Sequence, residues 1–222
     1  DFADVYRKLA QTDPDILSIQ VSSGLSGTIN AARLGAQTVP EAKVTFFDTK
    51  TLSGAQGWHV EAAARAINAG WDLKRILAML ESISAATDTI YTLAMLKYLI
   101  HGGRISHMRG LLGSLLDIKP IIAVEKVGGT YVQKATIRSL KKGILMIPEL
   151  IAKQHAPGSE LRVQVMHGDN EEGAHQLRDK LDTMFRCTWL PVTQIAPVLG
   201  AHTGPGLVGA VYAAQAAFTD LP

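Results

Sequence analysis

A single cysteine, Cys187, excludes any disulfide within this chain and fits a reducing compartment, so the expected location is cytoplasmic. No H-E-x-x-H or C-x-x-C pattern occurs, which leaves a zinc site without support. No G-x-x-x-x-G-K-[ST] loop is present, so the chain carries no P-loop. Glycines flank Ser26 as Gly24 and Gly27, which is not the G-x-S-x-G spacing of a hydrolase nucleophile. A net charge of +2 is too small to argue for nucleic acid or a charged membrane surface. No signal peptide or lipidation motif is visible. The most apolar stretch, Leu207 to Phe218, is too short to cross a bilayer and is rich in alanine.

What is present is an ordinary globular composition. With 47% apolar and 19% charged residues in 222, the chain can bury a large core and forms one or two domains. Asp1 to Ala10 reads as a short helix, Asp15 to Val21 as a buried strand, and Ser26 to Val39 as a helix stopped by Pro40. Lys43 to Asp48 is a second strand. Thr51 or Ser53 is placed to cap an Ala-rich helix ending near Gly70. Asp72 caps the next, whose Leu73, Ile76, Leu77 and Leu80 form one apolar face. Strands alternating with helices predict a parallel α/β lobe.

The pattern changes near residues 85–90. Ile90 to Met95 reads as a strand and Ser106 to Leu116 as a helix striped by Leu111, Leu112, Leu115 and Leu116. Two alternating runs, Pro120 to Lys126 and Thr130 to Thr136, enclose Val127-Gly128-Gly129 and predict an antiparallel hairpin. Ser139 to His155 is helical in pattern but contains Pro148, where a kink or break is expected. Leu161 to His167, Asn170 to Phe185 and Thr188 to Ile195 read as strand, helix and strand. A last helix is expected to begin near Pro205. The fold class is therefore α/β in two lobes. Residues 1–88 form a parallel-sheet N-terminal lobe and 89–222 a mixed-sheet C-terminal lobe, with a ligand between them.

Three glycine-punctuated segments carry the chemistry. Ser22-Ser23-Gly24-Leu25-Ser26-Gly27-Thr28 links a strand to a helix, where hydroxyls and free amides attract an anion. An ordinary helix cap explains the same residues. His101-Gly102-Gly103-Arg104-Ile105-Ser106 offers Arg104, which can grip a carboxylate or phosphate with two hydrogen bonds, or simply pair with a surface acid. Gly200-Ala201-His202-Thr203-Gly204-Pro205-Gly206 offers His202, a donor that titrates near neutrality or a partner for a nearby carbonyl. His167, Asp169 and Glu171 resemble metal ligands by type, but a turn followed by an Asn170 cap is the simpler reading. Arg138, Lys141 and Lys142 form either a solvated basic face or a docking patch for an acidic partner.

At these segments the chain resembles the DegV family of bacterial fatty-acid-binding proteins. Ser23-Gly24-Leu25-Ser26-Gly27-Thr28 is similar to the family's S-x-L/I-S-G-T motif. Tyr98 to Ser106, with Gly113 and Ile118-Lys119-Pro120, is similar to its central signature, and Gly200 to Gly206 to its C-terminal one. The resemblance implies a long-chain fatty acid held between two lobes. Its carboxylate would be bound by Ser26 and His202 with help from Arg104, and Ser23, Gly27 and Thr28 complete the expected site. It also implies a carrier subunit without catalytic residues, cofactor or metal. Such a subunit presents the acyl carboxylate to an ATP-binding fatty acid kinase subunit, docked through Arg138, and serves phospholipid metabolism with transient membrane contact. The family's D-S-T strand and T-S-Q-P loop are not in this sequence, so the N-terminal lobe is expected to be incomplete. The alternative is an α/β enzyme acting on a small phosphorylated or carboxylated substrate, with His202 as acid/base and Ser26 as anion clamp. A protein–protein module is a third class.

Overall fold

The structure, a computed structural model, describes residues 1–105 and 118–222. The helix expected over Ser106–Leu116, and Gly113 within it, lie outside the described residues. The chain opens with α1 (Phe2–Ala10), β1 (Asp15–Gln20), α2 (Thr28–Gln37) and β2 (Lys43–Asp48). β1 and β2 pair in parallel, from Asp15 opposite Lys43 to Gln20 opposite Asp48. Successive strand residues face opposite sides. Ile16, Val44 and Phe46 therefore meet Tyr6 of α1 and Ala32 of α2, while Leu17, Ile19 and Phe47 face the other way. There they meet α3 (Ser53–Asn68) and α4 (Leu73–Ala86), where Trp58, Ala62, Ile76, Leu80 and Ile83 are buried.

The larger sheet is assembled from β3 (Asp88–Thr92), β4 (Lys119–Val124), β5 (Tyr131–Ile137), β6 (Glu160–His167), β7 (Arg186–Trp189), β8 (Thr193–Gln194) and β9 (Val208–Ala214). Its order is β5-β4-β3-β9-β6-β7, with β8 also on β6. β6 pairs in parallel with β7 and β8, and the remaining neighbours are antiparallel. Two helices, α6 (Leu140–Ile151) and α7 (Glu171–Asp182), cover one face through Ile144, Ile147, Leu177 and Leu181. Toward the other face, Val211 and Ala213 of β9 join the α3–α4 core. The α3–α4 layer thus packs against both sheets, giving a mixed α/β protein. Short helices α5 (Lys97–His101) and α8 (Pro197–Thr203) pack on each other. Among the described residues, no helix is long and apolar enough to cross a membrane.

Several expectations hold locally. Asp72 caps α4 by accepting from the Arg75 amide at 2.8 Å, and Asn170 caps α7 by accepting from the Gly173 amide at 3.0 Å. The Val127-Gly128-Gly129 turn joins an antiparallel β4–β5 pair.

Others are corrected. Neither Thr51 nor Ser53 caps α3: Leu52 holds that position with no side-chain bond, and the Thr51 hydroxyl lies 3.3 Å from that of Thr89 instead. Leu73 is exposed rather than on the buried face of α4. Helix α6 continues through Pro148, which is buried with Ile147 and Ile151, so core packing outweighs the missing amide. The strand expected over Thr188–Ile195 divides into β7 and β8. Pro205 starts no helix. The alanine-rich segment after it is β9, an inner strand whose residues Val208 to Ala213 are all buried. Gly209 lies against Tyr91 on β3, where a Cβ would collide with the Tyr91 Cβ and the Ile90 carbonyl, so small residues here serve close strand packing.

Candidate functional site

One cavity of about 770 Å³ gathers residues from all three glycine-punctuated segments: Ser26 and Thr28, Arg104, and His202 all line it. Its remaining wall comes from β6 (Gln164, Met166), α8 (Val198, Leu199) and one side of α3, with Leu25, Leu52 and Trp58 as apolar surface. Its volume lies within the roughly 300–1,000 Å³ typical of small-molecule sites.

The first segment is fixed from beneath. The Ser22 hydroxyl, fully buried, donates to the Gly129 carbonyl at 2.7 Å and accepts from the Gly24 amide at 3.1 Å. Gly24 has no room for a side chain, because a Cβ would run into the Gly128 carbonyl. The β4–β5 turn thereby sets the height of the loop. Ser26 Oγ lies 2.6 Å from Thr28 Oγ1 and accepts from the Thr28 amide at 3.2 Å, so two hydroxyls stand together at the start of α2.

Arg104 ties the second segment to the first. Its Nε donates to the Leu25 carbonyl at 3.3 Å and one terminal nitrogen donates to the Gly102 carbonyl at 2.6 Å. His202 is in the last turn of α8, not in a turn before a helix. Its ring rests on Gly102, where a Cβ would collide with it. The buried Nδ1 of His202 has no hydrogen-bond partner among the described residues. Burial, and then the neighbouring Arg104 charge, hold its pKa below the usual histidine value. A cation, two hydroxyls and a histidine thus stand in one cavity wall, groups whose chemistry suits an anion.

The structure does not bring every expected residue to the cavity. Ser23 is exposed and faces the β2–α3 connection: its amide donates to Asp48 at 3.1 Å, and its hydroxyl accepts from Lys50 at 3.2 Å. Gly27 is the exposed cap residue of α2. Arg138 is exposed between β5 and α6, with Lys141 and Lys142 exposed in the first turn of α6. His167 Nδ1 accepts from the Asn170 amide at 3.2 Å, the turn that leads into α7. Tyr131, Gln164 and Glu61 also line the cavity and escaped the sequence reading. Tyr131 is buried against Tyr91 in an edge contact, with ring centroids 6.0 Å apart. Burial raises its pKa. Strand alternation could have placed Tyr131 on a sheet face, but not at a cavity.

A family model described as "uncharacterised protein, DegV family" matches residues 1–215. The chain belongs to the DegV family. A DegV domain-containing protein of Deinococcus radiodurans is 36% identical over 195 residues, 88% of this chain and 68% of that protein. One from Clostridium perfringens is 35% identical over 194 residues, covering 87% of this chain and 68% of its own length. Among solved DegV structures, a lipid-binding protein from Thermotoga maritima superposes with a TM-score of 0.85 at 28% identity, over 96% of this chain and 74% of that one. A Thermus thermophilus DegV family protein, described by its fatty acid binding, gives a TM-score of 0.85 at 28% identity, over 96% and 76%.

Proposed function

We propose that this DegV chain binds one long-chain fatty acid in the large cavity, with the carboxylate at Ser26, Thr28, Arg104 and His202. The observation that carries this reading is the convergence of three distant segments on one cavity that has anion donors in its wall and apolar surface beside them. A buried carboxylate needs several donors, because an unpaired buried charge is very costly. The tail adds affinity at about 0.8 kcal/mol per buried CH₂, on the order of 10 kcal/mol for a long chain before ordering costs. The solved relatives that are described as binding fatty acid or lipid support the same ligand class.

In this reading the chain is a carrier that presents the carboxylate to an ATP-binding kinase subunit and passes on the acyl phosphate for phospholipid synthesis. Arg138, Lys141 and Lys142 are exposed at the N-terminal end of α6, where the helix dipole disfavours cations. Local helix stability does not favour them there, which supports the reading of this basic face as a docking patch for an acidic partner. Val198, 72% exposed on α8 and part of the cavity wall, offers an apolar contact for transient membrane exchange.

Native mass spectrometry of the purified chain tests the ligand class. A bound long-chain fatty acid is the expected mass. A small polar metabolite in its place would support an enzyme acting on a phosphorylated or carboxylated substrate.

A further inference from the structure

Helix α3 contains a glycine that neither its backbone nor its packing requires. Gly57 lies within the helix and does not have the positive φ that calls for glycine. A Cβ built on it would meet no atom within 4 Å. Glycine is also among the poorest residues for a helix interior. Gly54, one turn earlier, differs: a Cβ there would lie 2.7 Å from Gln164 Oε1 and from Met166 Sδ, so close packing accounts for it.

Both glycines line the large cavity, together with Ser53 and Glu61 on the same side of α3. Residues spaced by four share a helix face, so Ser53, Gly57 and Glu61 form a stripe along that wall. Glu61 closes the stripe with a carboxylate held by Arg162 at 2.8 Å and Arg65 at 3.6 Å. A second anion is disfavoured beside Glu61, and an acyl tail gains nothing from an ion pair. Gly57, exposed in the cavity wall, leaves bare surface between Ser53 and Glu61 that a tail can lie against.

We infer that Gly57 is a specificity-determining position: its missing side chain leaves the room that admits long acyl chains. The inference rests on the fatty-acid reading above and adds the residue that limits chain length. A side chain at this position would take the place of the terminal methylenes of the longest chains and leave shorter ones unaffected.

The test is Gly57→Leu, with affinities for dodecanoate, hexadecanoate and octadecanoate measured by displacement of a fluorescent fatty acid. A leucine displaces about three methylenes, each worth about fourfold in affinity, so octadecanoate should weaken on the order of fiftyfold. Dodecanoate should stay within about twofold, and the melting temperature should hold or rise because leucine is the better helix former. An unchanged length profile in a folded variant overturns the inference. Should that variant fail to fold, Gly57→Ala must still lower the octadecanoate-to-dodecanoate affinity ratio, and an unchanged ratio overturns the inference equally. If the unsubstituted chain binds none of the three acids, it is the fatty-acid reading that fails, and with it this one.

Discussion

The Ser22 hydroxyl donates to the Gly129 carbonyl at 2.7 Å, joining positions 107 apart in the chain. The bond couples the loop that carries Ser26 to the turn of the β4–β5 hairpin. Ser22→Ala would leave a buried carbonyl and the Gly24 amide without their partner. We expect a loss of about 1–3 kcal/mol of stability, read by urea denaturation, with fatty acid affinity reduced as the loop loses its support.

Ser26→Ala should behave in the opposite way. Ser26 is only partly buried, and its hydrogen bonds are to Thr28. Its removal should leave the melting temperature nearly unchanged while fatty acid binding weakens by about 1.5–3 kcal/mol, the worth of a hydrogen bond to a charged group. Calorimetric titration reads the affinity, and equal binding by the variant would remove Ser26 from the carboxylate site.

His59 gives the protein an acid sensitivity away from the cavity. It is fully buried between α3 and α4, with Nδ1 2.7 Å from the Ala55 carbonyl and Nε2 2.8 Å from Ser84 Oγ. A carbonyl only accepts, so Nδ1 carries the proton and Nε2 accepts from the serine hydroxyl. Burial lowers its pKa. The Ala55 carbonyl acts in the opposite sense, and the Lys126 charge lowers the pKa further. The unfolded chain then binds the proton at higher pH than the folded one. The stabilisation is complete above the unfolded value of about 6.5 and is lost as pH falls through the depressed folded value. Melting temperature should drop as pH is lowered through this window, and more shallowly in His59→Gln, which starts from lower stability.

Arg138→Glu should leave fatty acid affinity intact, because Arg138 is not part of the cavity wall. Acyl phosphate formation with the proposed kinase partner should slow, and the deficit should be largest at low salt, where surface charge acts over longer distances. Radiolabelled phosphate transfer from ATP checks the rate. Equal loss of lipid binding would point to misfolding.

Legibility in the sequence followed how local the determinants are. The β4–β5 hairpin and the Asp72 and Asn170 caps are set by a few adjacent residues, and all were readable. Strand β9 was not. Its alanines suit a helix, and only the neighbouring Tyr91, far away in the chain, explains why position 209 is glycine. His202 was misplaced for the same reason, since a glycine-rich run hid the short helix α8. Ser23 and Ser26 are alike as residues, and only the Asp48–Lys50 ion pair, 2.9 Å long, draws Ser23 away from the cavity. Nothing in the Ala-rich sequence around Gly57 signals the open space beside it.

Strand β9 lies between β3 and β6 yet follows both in the chain. As the polypeptide leaves the ribosome, β3 and β6 emerge with no partner between them and with ladder groups unpaired. Only when residues up to Ala214 are free can the two halves of the sheet be zipped together. Vectorial synthesis therefore delays the cooperative step until β9 has emerged. Until then, the exposed strand edges are the nascent chain's most vulnerable surface and the natural place for a chaperone to act.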